Sequence, residues 1–487
     1  MVRVHAGQPI ILKSINLSQK TAYLLLLLLI LFSYRSAINS YFIHDDFCLI
    51  ADWGQMSLSQ AFNNNDNKIY RPLFLLSNRF AYQVFGVDHR LYHCYSLFLH
   101  FLNAVLVLVI SRLLFKQSSA ARHIFTAAIF CVNPILPEAV AWYAASHVTL
   151  GTLFILSGLL CYILSKPGGK RKLIYYFLLM ACFILGLLSS EIVFIFPLIL
   201  LLTDIFLMKE RAKTSNRPKE YLLTYGALAI ICVLYALKRI SILGSFLGDW
   251  SAYEHAKLTL ANFINSLRIL AVPLNVEIYS PNFILRANIL IFLLLGALLF
   301  LRLSKIRLNK NSFYWSISLF LASLLVNLKF QTIWPSLGGG RFWYFPAACF
   351  AFVLGDLFWG YLDNSRSKII RNCVYAIAIF LVIFYTYAVQ KNTSVWREAG
   401  DLTQKIQKKL IGISGDKKYI VVKSIPENHK GAHVFMCPGS FTDALSPPFV
   451  ENKTKVYRYE DAPAELKNDK KSILIWGGED FESMGGR

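Results

Sequence analysis

Long apolar runs, broken by short polar segments, set the pattern of this chain. The first extends from Thr21 to Phe32 (TAYLLLLLLILF) and follows Arg3, Lys13 and Lys20. Others lie near 92–115, 123–137, 146–165, 173–189, 192–208, 221–239, 286–304, 312–330, 342–361 and 370–389. About 20 apolar residues in a helix cross the hydrocarbon layer of a bilayer. The pattern therefore predicts an all-α polytopic membrane protein with about eleven transmembrane helices. The segment 258–274 breaks the series. It carries Asn262, Asn265 and Arg268 and ends at Pro273, so a re-entrant or interfacial helix is expected there.

Alternate loops between these runs are basic. Lys116 and Arg122 lie in one, and Lys166, Lys170, Arg171 and Lys172 in the next. Lys209, Arg211, Lys213, Arg217 and Lys219 fill a third. Arg302, Lys305, Arg307 and Lys310 fill a fourth, and Arg366, Lys368 and Arg371 a fifth. Lys and Arg resist translocation, so these loops and the N-terminus are expected in the cytoplasm. Tyr34, Arg35 and Ser36 follow the first run where a cleaved leader would need small residues, so that run is expected to remain as the first span.

The remaining loops then face outward: 40–91, 138–146, a tight turn at 189–191, 240–286, 331–341 and the tail from Gln390. This divides the chain into a transmembrane unit, 1–390, with a long first outer loop, 40–91, and an extracytoplasmic unit, 391–487. In the tail a polar helix over Trp396 to Leu410 precedes short β-rich runs at Tyr419–Ile425, Ala432–Cys437, Lys455–Tyr459 and Ser472–Trp476. These predict a small α/β domain.

Composition agrees. Hydrophobic residues make up 56% and charged ones 16%, against roughly a quarter charged in soluble chains. That excludes an ordinary cytosolic enzyme and a disordered chain. The net charge is +22, which in a soluble protein would point to nucleic acid. Here the basic residues orient the chain in the bilayer, so membrane lipids are the expected partner and no nucleic acid is. The nine cysteines form no CxxC pair and read as small buried hydrophobes.

Candidate chemistry gathers on the outer side. After the first span comes Phe42-Ile43-His44-Asp45-Asp46-Phe47, which sets two adjacent acids at the membrane surface. One reading is a solvated helix end; the other is a general base whose neighbour raises its pKa or orients it. The loop continues through Tyr70-Arg71-Pro72-Leu73. Other polar groups sit at span ends: Asn133-Pro134, Pro137-Glu138, Trp142, His147, Ser190-Glu191, Arg239, His255, and Gly340-Arg341 before Phe342-Trp343-Tyr344. Ionisable groups at membrane depth are costly unless they pair or line a wet cavity. Arg239 and Arg341 therefore either clamp a phosphate or snorkel to the interface. The aromatic residues are interface anchors or a platform for sugar rings.

In this arrangement the chain resembles the GT-C glycosyltransferases, and among them the TMTC-type and related O-mannosyltransferase-like proteins. The matching pieces are FIHDDF (42–47), YRPL (70–73), NPILPEAVAW (133–142), SSEIVFIFPLILLLTDIF (189–206), RFWYFPAACFAFVLG (341–355) and NTSVW (392–396). They span about 40–400. The turn that carries Lys-Glu in the family pattern reads Ser190-Glu191 here, and the α/β tail stands where TMTC proteins carry tetratricopeptide repeats.

The resemblance implies a GT-C fold, a polyprenyl-phosphate-linked sugar donor, a protein or glycan acceptor, and inverting transfer of mannose or another hexose in the cell (inner) membrane. It makes Asp45 the catalytic base and Asp46 its catalytic neighbour. Glu138, Glu191, Arg71, Arg239, Arg341, His255 and Tyr344 become the donor and phosphate contacts. Some relatives use a divalent metal; the sequence offers no evident ligand set, so no cofactor is assigned and a divalent metal stays open. A flippase or transporter is the competing class, disfavoured by the lack of inverted repeats. A ligase of the O-antigen type, using diphosphate-linked donors, is a third.

Overall fold

A computed structural model describes residues 19–483, apart from 53, 64–68, 167–170, 209–216, 247–259, 305–309, 329–332, 363–366, 415–416, 437, 452–453 and 470–471. The predicted basic loops at 209–219 and 305–310, and His255, lie largely or wholly outside the described residues.

The first apolar run forms α1 (Gln19–Ser33). The long loop after α1 is itself helical, with α2 (Asp46–Ala51), α3 (Leu58–Asn63) and α4 (Pro72–Phe85). Pro72 occupies the first turn of α4, where a missing N–H costs nothing. Asp88 caps the next helix, α5 (His89–Leu114), by accepting from the Arg90 N–H at 3.0 Å. There follow α6 (Ala120–Cys131), the short α7 (Pro137–Ala141), α8 (Ser146–Ser165), α9 (Lys172–Leu187) and α10 (Phe196–Thr203). The series continues with α11 (Arg217–Leu243), α12 (Leu260–Ala271), α13 (Pro281–Leu303), α14 (Lys310–Leu328) and α15 (Tyr344–Leu362). It closes with α16 (Lys368–Ser414), 47 residues long.

Among the described residues, seven helical stretches are long and apolar enough to cross a membrane, and α1, α6 and α9 are shorter apolar helices. Each predicted span falls on a helix. The 12 residues of α12 rise only about 18 Å, too short to span, as the polar residues in 258–274 led one to expect.

Burial sorts the helices. The apolar window of α15 is 83% buried and that of α13 only 22%. Leu293 and Phe300 on α13, and Leu222 on α11, stand exposed, as a lipid-facing surface requires. Between the helices, Asp356 of α15 receives Arg122 of α6 at 3.1 Å, Arg302 of α13 at 2.9 Å and the Ser312 hydroxyl at 2.6 Å. Lys166 pairs with Asp204 at 3.1 Å, and the Tyr225 hydroxyl donates to that acid at 2.8 Å. Buried charges persist at such depth because they are paired and hydrogen-bonded.

α16 runs without a break from the membrane unit into the C-terminal unit. That unit holds strands β1 (Tyr419–Lys423), β2 (Asn428–His429), β3 (Ala432–His433), β4 (Lys455–Arg458), β5 (Ile473–Trp476) and β6 (Phe481–Ser483), with helices α17 (Pro438–Ala444) and α18 (Ala464–Lys467). The main sheet has the order β4-β1-β5-β6. β1 runs parallel to β4 and β5, and β6 runs antiparallel to β5. β2 and β3 form a separate hairpin whose two-residue turn has positive φ at Lys430 and Gly431, as the tight hairpin turns require. The small domain does not stand apart. Phe449 packs against Phe42 (5.6 Å between centroids) and Phe47 (4.9 Å), and Phe435 stacks on Phe47 at 6.2 Å. The loop after α1 is thereby clamped between the long helices and the α/β unit.

Candidate active site

The Asp-Asp loop divides its two acids between two environments. Asp46 is fully buried. Its carboxylate accepts the Ile43 N–H at 3.1 Å and the Ala144 N–H at 2.8 Å, which ties the loop to the segment after α7. Burial still outweighs these donors, and the neighbouring Asp45 adds to the effect, so its pKa is pushed up to about 8. Asp45, at the head of α2, keeps 44% of its side chain open although protein surrounds the rest. That partial desolvation raises its pKa, while Arg341 and His433 pull it back down. Asp45 is the accessible acid and Asp46 the buried anchor.

His44 precedes them with φ of +46°, a conformation rare outside glycine. Its N–H donates to the Val434 carbonyl at 2.8 Å, and its ring stacks on Trp142 (5.5 Å, 15°). Burial, with His433 and Arg341 beyond it, holds its pKa well below the usual histidine value. Trp142 in turn stacks on Trp396 at 6.1 Å.

Glu138, on α7, is buried and forms an ion pair with Arg341. Its second oxygen accepts the Arg341 backbone N–H at 3.2 Å. Gly340 makes the approach possible: a Cβ there would stand 2.7 Å from the Ile135 carbonyl oxygen. Burial works against the Glu138 charge, but Arg341, and then His433 at 3.8 Å, overcome it and hold the carboxyl below its ordinary value. The Arg341 guanidinium also lies over the Trp142 ring, 4.9 Å from its centroid. Asn392, from the NTSVW segment, ties the loop down by donating to the Pro134 and Pro273 carbonyls at 2.8 and 3.0 Å.

A second cluster forms at the α9–α10 junction. Glu191 accepts from Arg71 Nε and Arg239 Nη1, each at 2.9 Å. Arg239 Nε donates to the Phe246 carbonyl at 2.7 Å, and the Tyr235 hydroxyl donates to the Tyr70 carbonyl at 3.0 Å. Both arginine side chains are under 10% exposed, so they are held rather than snorkelling. His147 joins the clusters. It lies within electrostatic reach of Arg71 and Glu191 on one side and Arg341 on the other, and its Nε2 is buried without a hydrogen-bond partner.

The structure thus brings Asp45, Asp46, Glu138 and Arg341 into one neighbourhood and Arg71, Glu191 and Arg239 into another. Tyr344 is elsewhere: it is fully buried in the helix packing, its hydroxyl 2.8 Å from His100 Nδ1 and 3.3 Å from Asn103 Nδ2. Among the described residues no group of three or more His, Cys, Asp and Glu side chains is placed to hold a metal ion. Sequence reasoning missed His433. It sits in a short strand of the tail and touches Glu138, His44 and Trp142, and nothing in its local pattern marks it.

No family model matches the sequence, and no curated protein does. Solved structures do. ArnT from Cupriavidus metallidurans in the apo state matches with a TM-score of 0.52 at 12% identity, over 94% of each chain. ArnT bound to undecaprenyl phosphate matches at 0.46, with 13% identity over 93% of each chain. The oligosaccharyltransferase AglB from Archaeoglobus fulgidus, in complex with an inhibitory peptide and a dolichol-phosphate, matches at 0.45 with 16% identity over 83% of this chain. The chain spans about three fifths of that enzyme's length, 62%. At such identities the ArnT likeness establishes the fold, which is the GT-C fold of membrane glycosyltransferases.

Proposed function

We propose that this protein is a membrane glycosyltransferase that moves a sugar from a polyprenyl-phosphate carrier to an acceptor hydroxyl at the extracytoplasmic face, with inversion. One observation carries the reading: Asp45 is an accessible carboxylate, fixed at the head of a short helix and facing a paired arginine, in a fold known for this chemistry.

The Asp45 carboxylate takes the proton of the acceptor hydroxyl. The freed oxygen attacks the anomeric carbon while the bond from that carbon to the phosphate oxygen breaks, and the ring passes through an oxocarbenium-like state. The electron pair leaves with the phosphate. Arg71 and Arg239, oriented by Glu191, receive that charge, and Arg341, oriented by Glu138, stands beside Asp45. Asp46 holds the loop. His255 remains a candidate donor contact outside the described residues.

A lipid-phosphate donor suits the architecture, because its tail stays in the bilayer while the sugar phosphate reaches the outer surface. ArnT has been solved with such a lipid phosphate. The sugar is a hexose, with mannose first, and the acceptor a protein or glycan. The N-terminus lies in the cytoplasm of a cell (inner) membrane and the α/β unit outside it. The test is incubation of the purified protein with a radiolabelled polyprenyl-phosphate hexose and candidate acceptors. Label covalently joined to acceptor supports the reading. Label that crosses a vesicle membrane still bonded to its lipid would make the protein a flippase.

A further inference from the structure

We propose that the C-terminal domain completes the active site, with His433 as a positioning residue that holds His44 and, through it, Asp45. This rests on the transferase reading for the identity of the reaction, but its geometry stands alone.

The hairpin β2–β3 is anchored on three sides. The Lys430 carbonyl accepts from Asn275 Nδ2 at 2.8 Å. Gly431 lies so close to Ser336 that a Cβ there would meet its carbonyl oxygen at 2.5 Å. His429 and Lys430 reach Glu398 of α16 at 3.0 and 2.7 Å. The hairpin is thus seated on the α12–α13 connection, the turn at Ser336 and α16 together, and it presents His433 inward.

There the His433 ring packs edge-on to Trp142 at 4.9 Å and to Trp396 at 6.0 Å, and tilted against His44 at 5.1 Å. Its Nε2 is 3.8 Å from Glu138 Oε1, and its Nδ1 is buried with no hydrogen-bond partner. The next residue, Val434, accepts the His44 N–H. A non-glycine residue at positive φ is strained and persists only where its surroundings over-determine it. For His44 those surroundings include the Val434 carbonyl, the Trp142 face and the His433 ring. His44 Nδ1 is 3.4 Å from Asp45 Oδ1, and the Asp45 side chain makes no cap bond to α2. The Asp45 carboxylate thus lies between His44 and the Arg341 charge, and His44 is held by the tail domain. A misplacement of about 1 Å in a reacting group costs on the order of a hundredfold in rate.

The test uses the full chain in detergent with His433→Ala, His433→Phe and His433→Leu. Hydrogen exchange of the His44, Asp46 and Phe47 amides reads the loop directly and needs no substrate. His433→Ala is expected to speed that exchange at least tenfold. His433→Phe, which restores a ring, should return it to within threefold of wild type. Should the Ala variant fail to insert, Leu takes its place with the same expectation. With labelled polyprenyl-phosphate hexose, Ala should lower kcat at least tenfold while the donor KM stays within threefold, and Phe should recover most of kcat. Unchanged exchange in the Ala or Leu variant overturns the proposal, as does a loss that falls on donor KM alone. If wild type transfers no sugar, the transferase reading fails, and the exchange result still decides whether His433 positions the loop.

Discussion

Glu138 and Arg341, 203 residues apart, meet twice: carboxylate to guanidinium, and carboxylate to the Arg341 backbone N–H at 3.2 Å. The pair joins the α7 loop to the turn that opens α15. It explains how an arginine beside a glycine-rich turn stays fixed while 20% of its side chain remains open.

The first prediction concerns this pair. Arg341→Ala leaves a buried carboxylate without its cation, which costs about 3–5 kcal/mol. The melting temperature should fall and the donor KM rise at least tenfold. Arg341→Lys should recover only part of each, because an ammonium cannot both bond Glu138 and lie as a flat group over the Trp142 ring. Unchanged donor KM in Arg341→Lys, measured with labelled lipid-linked sugar, would confine Arg341 to a structural role.

A second prediction is a pH profile. Asp45 must be ionised to act as base, and burial sets its pKa above the ordinary aspartate value of about 3.9. The rate should rise with pH, with the acid limb of kcat/KM above that value. Arg341 lowers the Asp45 pKa, so its removal raises it. In Arg341→Gln the limb should move to higher pH. A limb that stays in place or moves to lower pH contradicts the assignment.

Part of this arrangement is legible in the sequence and part arises only on folding. The spans are legible, because hydrophobic runs and basic loops are local signals: each predicted run falls on a helix, and the polar segment 258–274 gave the short α12. Asp45, Arg71, Glu138, Glu191, Arg239 and Arg341 were visible as polar groups at span ends. Their pairing was not. Arg71 meets Glu191 across 120 residues, and no periodicity encodes which span end faces which. Only the resemblance told Asp45 from Asp46; the residues alone could not, since the difference is two backbone N–H groups, one from Ala144, 98 residues on. His433 was invisible because its meaning comes wholly from the docking of the tail.

A third prediction tests the close approach of α16. A Cβ on Gly400 would stand 2.7 Å from both Ser40 Oγ and the Tyr41 nitrogen. Gly400→Ala must push back the start of the Asp-Asp loop, at a cost of about 1–3 kcal/mol. A drop in melting temperature together with a fall in kcat is expected. Wild-type values of both would mean that the loop yields freely.

A fourth prediction separates fold from chemistry. Asp356→Asn removes the carboxylate charge between buried Arg122 and Arg302 and should cost about 3–5 kcal/mol of stability. Turnover per folded molecule should stay at the wild-type level, because this cluster lies apart from Asp45. Thermal melting and a folded-fraction-corrected assay check it.

The two adjacent acids provide the most direct measurement. Asp46→Asn leaves one backbone N–H without an acceptor and should lower stability by about 1–3 kcal/mol. Asp45→Asn should leave stability unchanged, because that side chain caps nothing. Transfer of labelled hexose from polyprenyl phosphate by purified Asp45→Asn is then decisive: kcat should fall about 100- to 10,000-fold at unchanged melting temperature, and turnover near the wild-type rate would remove Asp45 from the chemistry.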